Sequence, residues 1–175
     1  MSEHAVSTST VPAPKKNEMH PRAVTATTVV ERRYDVPVAR VFRAWADPKQ
    51  YIKWFAPGGD WVVADCEVDF RIHGRQMAFF GPVGEPRFKS DGRFEDIVED
   101  RRIVTAGSMH DIAEPAGNQR MSTTICVVEF LDDQGGTHLI LTDHSVFYTW
   151  ETADDRSKGW GEILDKLATH LKGIH

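Results

Sequence analysis

The side chains that could do chemistry in this chain are few and scattered: His73, His110, Asp143, His144 and Arg32. An imidazole titrates near working pH, so His73 or His110 pointing into a pocket could move a proton. Asp143, if desolvated in a pocket wall, is a candidate base. His110-Asp111 sits beside a loop, the placement best suited to a pocket mouth. Asp143 and His144 are adjacent on one strand and so point to opposite faces, which rules them out as a dyad. The bland alternative is that each of these groups is a solvated strand residue or a satisfied core group. No Gly-x-Ser-x-Gly, Cys-His pair or phosphate-cradling glycine loop is present. The histidines form no ligand set; His138 and His144 share a strand face but lie about 20 Å apart, too far for one ion. The sequence therefore implies no metal and no cofactor.

Aromatic side chains supply a second kind of site. A tryptophan presents a broad apolar face and a single donor, which suits a flat ligand. Trp54, Phe80 and Trp160 are the candidates for a cavity wall, whereas core packing suffices to explain Trp45.

The elements that must position these residues follow from periodicity. Residues 24–35, rich in Val and Thr, read as a first strand that Pro37 stops. Pro37 suits the first turn of a short helix with Val38, Val41, Phe42 and Trp45 on one face. Asp47-Pro48 ends that helix and starts a second short one through Trp54. The period then changes to two. Six further strands are expected over residues 60–69, 75–80, 87–99, 103–110, 121–131 and 137–146, with tight turns between them. Such short links favour an antiparallel meander. A long amphipathic helix over residues 152–171 closes the chain, with Trp160, Ile163, Leu164, Leu167 and Leu171 at the 3–4 spacing of one apolar stripe. In the last strand Leu139 and Leu141 share a face with Asp143 and Ser145. In the strand before it, Cys126, Val128 and Phe130 align with Ser122 and Thr124. Faces of this mixed character suit a lined pocket.

Composition sets the bounds. The 175 residues suffice for one domain, expected over residues 23–175, after a Ser-, Thr- and Pro-rich flexible tail over residues 1–22. The tail lacks the apolar core of a secretory signal. It carries Lys15, Lys16 and Arg22 against Glu3 and Glu18, so the acidic excess behind the net charge of −5 belongs to the domain. An acidic domain without a basic cluster argues against nucleic acid. No apolar run is long enough to span a membrane. Cys66 and Cys126 lack metal-type spacing and read as reduced core residues of a cytoplasmic protein.

Several motifs together resemble one known family. Arg32–Pro37, then Val41-Phe42-Arg43-Ala44-Trp45 and Asp47-Pro48, resembles the opening of the activator-of-heat-shock-protein-90-ATPase homologues, within the START-like (SRPBCC) superfamily. Trp54-Phe55-Ala56-Pro57-Gly58-Gly59 is similar to its Trp-Trp-Gly-Pro loop. Cys66-Glu67-Val68-Asp69-Phe70-Arg71 resembles its Asp-Leu-Arg strand, and Gly159-Trp160 with Leu164, Leu167 and Leu171 its closing helix. One departure is Arg71-Ile72-His73-Gly74, where the family usually has Arg-Pro-Gly-Gly. It is either a simple turn variation or a titratable group placed near the pocket rim. The resemblance implies an α+β helix-grip fold, with a seven-stranded antiparallel sheet wrapped around the C-terminal helix and a cavity between them.

The leading functional expectation is a receptacle for a small, mostly apolar or aromatic molecule, held by Trp54, Phe80, His110, Asp143 and Trp160. A second is a cofactor-free enzyme in the same cavity, a cyclase, isomerase, dehydratase or hydrolase using His110, Asp143 and His73. The superfamily resemblance allows this without deciding it. A third is a co-chaperone-like interaction module. The short tail cannot replace the additional N-terminal domain of eukaryotic activators, so a chaperone ATPase is not the expected partner. An exposed edge strand could pair two copies into a homodimer.

Overall fold

The chain runs β1 (Val24–Tyr34), α1 (Val38–Ala46), α2 (Pro48–Trp54), β2 (Trp61–Val68), β3 (Arg75–Pro82), β4 (Phe88–Val98), β5 (Arg102–Asp111), β6 (Gln119–Asp133), β7 (Gly136–Phe147) and α3 (Ala153–Lys172). This computed structural model describes residues 22–113, 115 and 117–173. Apart from Arg22, the inferred tail lies outside the described residues. The element order matches the periodicity, with β6 longer at both ends than its apolar residues suggest. Ladder bonds to β5 and β7 carry its backbone to Gln119 and Asp133.

All strands join one antiparallel sheet in the order β1-β7-β6-β5-β4-β3-β2. Strands β2 to β7 follow one another as a meander, and β1 adds beside β7 with Val24 opposite Phe147. Asp47 links the two short helices. It is the C-cap of α1, and its side chain accepts the Lys49 amide at 2.9 Å as N-cap of α2, with Pro48 next. Pro37 stands at the N-cap of α1, one residue before the helix proper.

Side-chain alternation decides which sheet face is buried. In β7, Thr137, Leu139, Leu141, Asp143, Ser145 and Phe147 are buried on the concave face. Helix α3 crosses that face and buries Arg156, Trp160, Ile163, Leu164, Leu167 and Leu171. Each fully buried large apolar side chain contributes about 1.5–3 kcal/mol. A capping box starts the helix: Thr152 Oγ1 accepts the Asp155 amide, and the Asp155 carboxylate accepts the Thr152 amide.

The sheet grips this helix from both edges. On the β1 side, Tyr34 Oη donates to the Leu164 carbonyl at 3.1 Å and Arg32 Nε to Asp165 Oδ1 at 2.7 Å. On the β2 side, Lys166 Nζ donates to the Trp61 carbonyl at 2.7 Å. For both edge strands to reach one helix the sheet must bend. Register shifts at Val63/Asp65, Phe94/Asp96 and Met109/His110 supply local bends. Mid-sheet, Gly92 pairs with Gly107. A Cβ on Gly107 would lie 2.7 Å from the Asp91 carbonyl oxygen and 2.8 Å from Gly92 Cα. Only glycine permits strands β4 and β5 to approach in this way.

Between α1, α2 and the sheet lies an aromatic core. Trp45 and Trp54 meet edge to face at 4.8 Å, and Tyr51 stacks on Phe55 at 4.3 Å. Cys66 and Cys126 are free thiols. Among the described residues, no helix is long and apolar enough to cross a membrane. Replacing Gly107 by Ala should destabilise the fold by about 1–3 kcal/mol through backbone overlap. An unchanged chemical-denaturation midpoint would show that the β4–β5 approach is not under steric constraint.

Candidate functional site

One end of the gap between α3 and the sheet is not filled. A pocket of about 260 Å³ opens there. The strand ends supply Trp61 from β2, Phe80 from β3, Phe88 from β4, Met109 from β5 and Met121 from β6. Phe55 and Pro57 come from the segment after α2, and Trp150 and Glu151 from the link before α3. The helix adds Arg156, Gly159, Trp160 and Ile163, with Asp155, Lys158 and Glu162 at the rim. A smaller chamber of about 60 Å³ continues along the concave face past Ser90, Gly92, Gly107 and Cys126. Phe55, Met109, Arg156 and Trp160 line both spaces.

Beneath the aromatic walls lies a buried polar cluster. Asp143 has no solvent exposure. Its Oδ2 accepts the Trp160 indole N–H at 2.9 Å, and its Oδ1 accepts the Ser145 hydroxyl. The Arg156 guanidinium lies over the Phe147 ring, 5.7 Å from its centre. Arg156 Nη2 donates to Ser122 Oγ and, at 3.0 Å, to Glu151 Oε2. Its Nε lies 2.9 Å from Glu151 Oε1, off the hydrogen-bond axis. Burial pushes the Glu151 carboxyl above its ordinary range, and the Arg156 charge pulls it back in part. Burial likewise raises the Cys126 thiol well above its usual value, so it is a poor nucleophile.

The expected site residues divide sharply. Phe80, Trp160 and Asp143 come together: the first two line the pocket, and Asp143 is hydrogen-bonded to Trp160 from behind. Trp54 does not line it. Its ring is buried behind Phe55 and its indole N–H goes to the Ala44 carbonyl at 3.2 Å, a core role. His110 is also outside the lining. The alternation that turns Met109 inward turns His110 to the outer face, opposite Lys89, where Nε2 bonds Ser108 Oγ at 2.8 Å. Burial and the Lys89 charge push its imidazole below the ordinary value. His73 is exposed at the far end of β3, in a turn where its φ is 66° and its amide bonds the Phe94 carbonyl. Of the two readings of that departure, the turn variation describes it, since the length of β3 separates His73 from Phe80. His144 faces outward and bonds Thr27.

Glu151, Arg156, Trp61, Phe88 and the two methionines escaped the sequence reading. Arg156 left a trace there: it lies four residues before Trp160 on the apolar stripe of α3, and a charge on a buried stripe needs partners. Among the described residues, no group of three His, Cys, Asp or Glu side chains could hold a metal ion.

The family model described as Activator of Hsp90 ATPase homolog 1-like protein matches residues 35–172. A solved Rhizobium leguminosarum structure is 32% identical, covering 87% of this chain and 98% of its own, with a TM-score of 0.76. The Mll3558 protein of Rhizobium loti is 31% identical, covering 85% of this chain and 99% of its own, with a TM-score of 0.73. The AHSA1 protein of Silicibacter pomeroyi shares the fold at 23% identity and a TM-score of 0.67, covering 86% of this chain and 100% of its own. No curated protein matches the chain.

Two tests probe the cluster. Trp45 Nε1 is buried without a partner, whereas Trp160 Nε1 serves Asp143. Trp160→Phe should therefore cost about 1–3 kcal/mol more than Trp45→Phe in urea unfolding, because it strands a buried carboxylate oxygen. Equal costs would deny the hydrogen bond its weight. For Glu151, a carboxyl raised in the folded state adds stability in acid and loses it as pH climbs through its titration. The stability of the native chain relative to Glu151→Gln should therefore fall as pH rises above the ordinary glutamate value. A rise across that window would mean that the Arg156 pairing outweighs burial.

Proposed function

The chain belongs to the activator-of-Hsp90-ATPase homologue 1-like family, of START-like helix-grip fold, and from that premise we propose that it binds a small, mostly apolar molecule between sheet and C-terminal helix. The observation that carries this reading is the pocket wall. Six aromatic rings (Phe55, Trp61, Phe80, Phe88, Trp150 and Trp160) and the flexible thioethers of Met109 and Met121 surround one space. Walls of this kind with a few convergent polar groups suit small-molecule sites, and methionine adapts to varied shapes. Two broader recesses lie elsewhere, one beside the β4–β5 turn and one on the outer face of β1, β6 and β7. Neither gathers a buried ionisable side chain.

His73 and His110 lie away from the pocket, so the reading rests on capture of a ligand and not on imidazole proton transfer. Gly159 offers a direct test. It lines the pocket within α3, and a Cβ there would meet nothing closer than Pro57 Cβ at 4.0 Å. Replacing a helix-interior glycine by phenylalanine also removes about 0.5 kcal/mol of helix-propensity penalty. Gly159→Phe should keep or raise the melting temperature while filling the space. N-phenylnaphthylamine, an uncharged dye that brightens in apolar surroundings, should bind the native chain and lose at least about tenfold in affinity for the variant. Undiminished dye binding by a folded Gly159→Phe chain would refute the pocket as the binding site.

A further inference from the structure

We propose that the molecule taken by this pocket is uncharged and carries one hydrogen-bond-accepting oxygen, received by Nη1 of Arg156. This rests on the pocket reading above and specifies the chemistry of the ligand. Arg156 is only 6% exposed, yet it lines both the outer pocket and the inner chamber. Its Nη2 is satisfied by Ser122 and Glu151. Its Nη1 makes no hydrogen bond among the described residues. The ion-pair partner of Nη1, Asp143 Oδ2, stands 3.8 Å away, beyond hydrogen-bonding range. Asp143 cannot turn to close that gap without giving up Trp160 or Ser145. Nη1 is not among the fully buried atoms that lack a partner, so its N–H groups are accessible to an acceptor in the pocket.

Charge decides what kind of acceptor fits. Around the guanidinium stand two carboxylates, Glu151 at 2.9 Å and Asp143 at 3.8 Å, so one positive charge already faces two negative ones. A ligand carboxylate would bring a third negative charge into a poorly solvated space, at a high Coulombic cost. The other cation at the site, Lys158, is exposed at the rim and faces Glu162. A carbonyl oxygen of a ketone, ester or amide satisfies Nη1 without that cost. The six rings around it set the rest of the ligand as a flat apolar body.

Three naphthalene probes of nearly one shape separate the possibilities: naphthyl methyl ketone, isopropenylnaphthalene, in which a methylene replaces the ketone oxygen, and naphthoate. A purely apolar pocket prefers the hydrocarbon, because the ketone must shed bound water. With Arg156 as donor, the ketone should displace N-phenylnaphthylamine about tenfold more effectively than the hydrocarbon. The carbonyl stretch of the bound ketone should fall below its frequency in hexane. Arg156→Lys, which keeps the charge and loses the fork, should abolish the preference. The infrared shift in the native chain provides the test should that variant fail to fold. Ketone binding no tighter than hydrocarbon binding, or a carbonyl stretch as in hexane, overturns the anchor while leaving the pocket in place. Naphthoate binding tightest overturns the proposal in favour of an anion site. Failure of all three probes and of the dye refutes the pocket reading itself.

Discussion

A carboxylate without access to water, Asp143, determines how the long helix sits on the sheet. Burying a lone carboxylate is costly, so its oxygens need donors at fixed places. One donor is Ser145 on the same strand, and the other is the Trp160 indole on α3. That second bond joins β7, the neighbour of edge strand β1, to the helix stripe and sets the helix in both rotation and register. Arg156, one turn earlier on the stripe, is then carried over Phe147 and between Glu151 and Ser122. Hydrophobic burial of Leu164, Leu167 and Leu171 provides much of the attraction but is non-directional. The polar cluster supplies the direction.

The sheet answers this helix by bending, and the bend has two unequal ends. Near the C-terminus of α3, helices α1 and α2 close the concave face with Trp45, Tyr51 and Trp54, and Arg40 donates to the Leu171 carbonyl. Near its N-terminus the described residues supply no such layer. There the ends of β2 to β6 and the first turns of the helix surround a space that the aromatic side chains line without filling. Lys166 and Arg32 hold the helix to opposite edge strands, so the gap cannot close by sliding the helix toward one edge. The glycine pair at Gly92 and Gly107 contributes no side chains to the wall of the inner chamber.

Much of this was legible in the residues. Strand periodicity from residue 60 onward, the turn signals and the apolar stripe of the last helix foretold the element order and its antiparallel character. Family motifs such as Gly159-Trp160 resolved the architecture from a generic α+β to a helix grip, and the matching family model supports that assignment. Phe80 and Trp160 line the pocket and Asp143 lies behind Trp160; alternation in β7 and the stripe of α3 put Asp143 and Trp160 on inward faces, whereas Phe80 carried only its aromatic type. Trp54 misled, because a tryptophan near a pocket and a tryptophan behind a pocket have the same local pattern; only the position of Phe55 tells them apart. His110 misled for a related reason. Proximity to a loop says nothing about facing, and the pairing of Lys89 with His110 turns it outward.

By itself, the sequence determined what is local and periodic: seven strands, three helices, which side chains share a face, and the acidic excess of the domain. Tertiary structure alone decided the convergence. Glu151, Arg156 and Asp143 are separated along the chain by a strand end and a helix start, and no spacing rule links them. They meet because a bent sheet and a helix crossing it bring one strand face, one linker and one helix turn to the same place. Such a meeting depends on angles between elements, which periodicity does not encode.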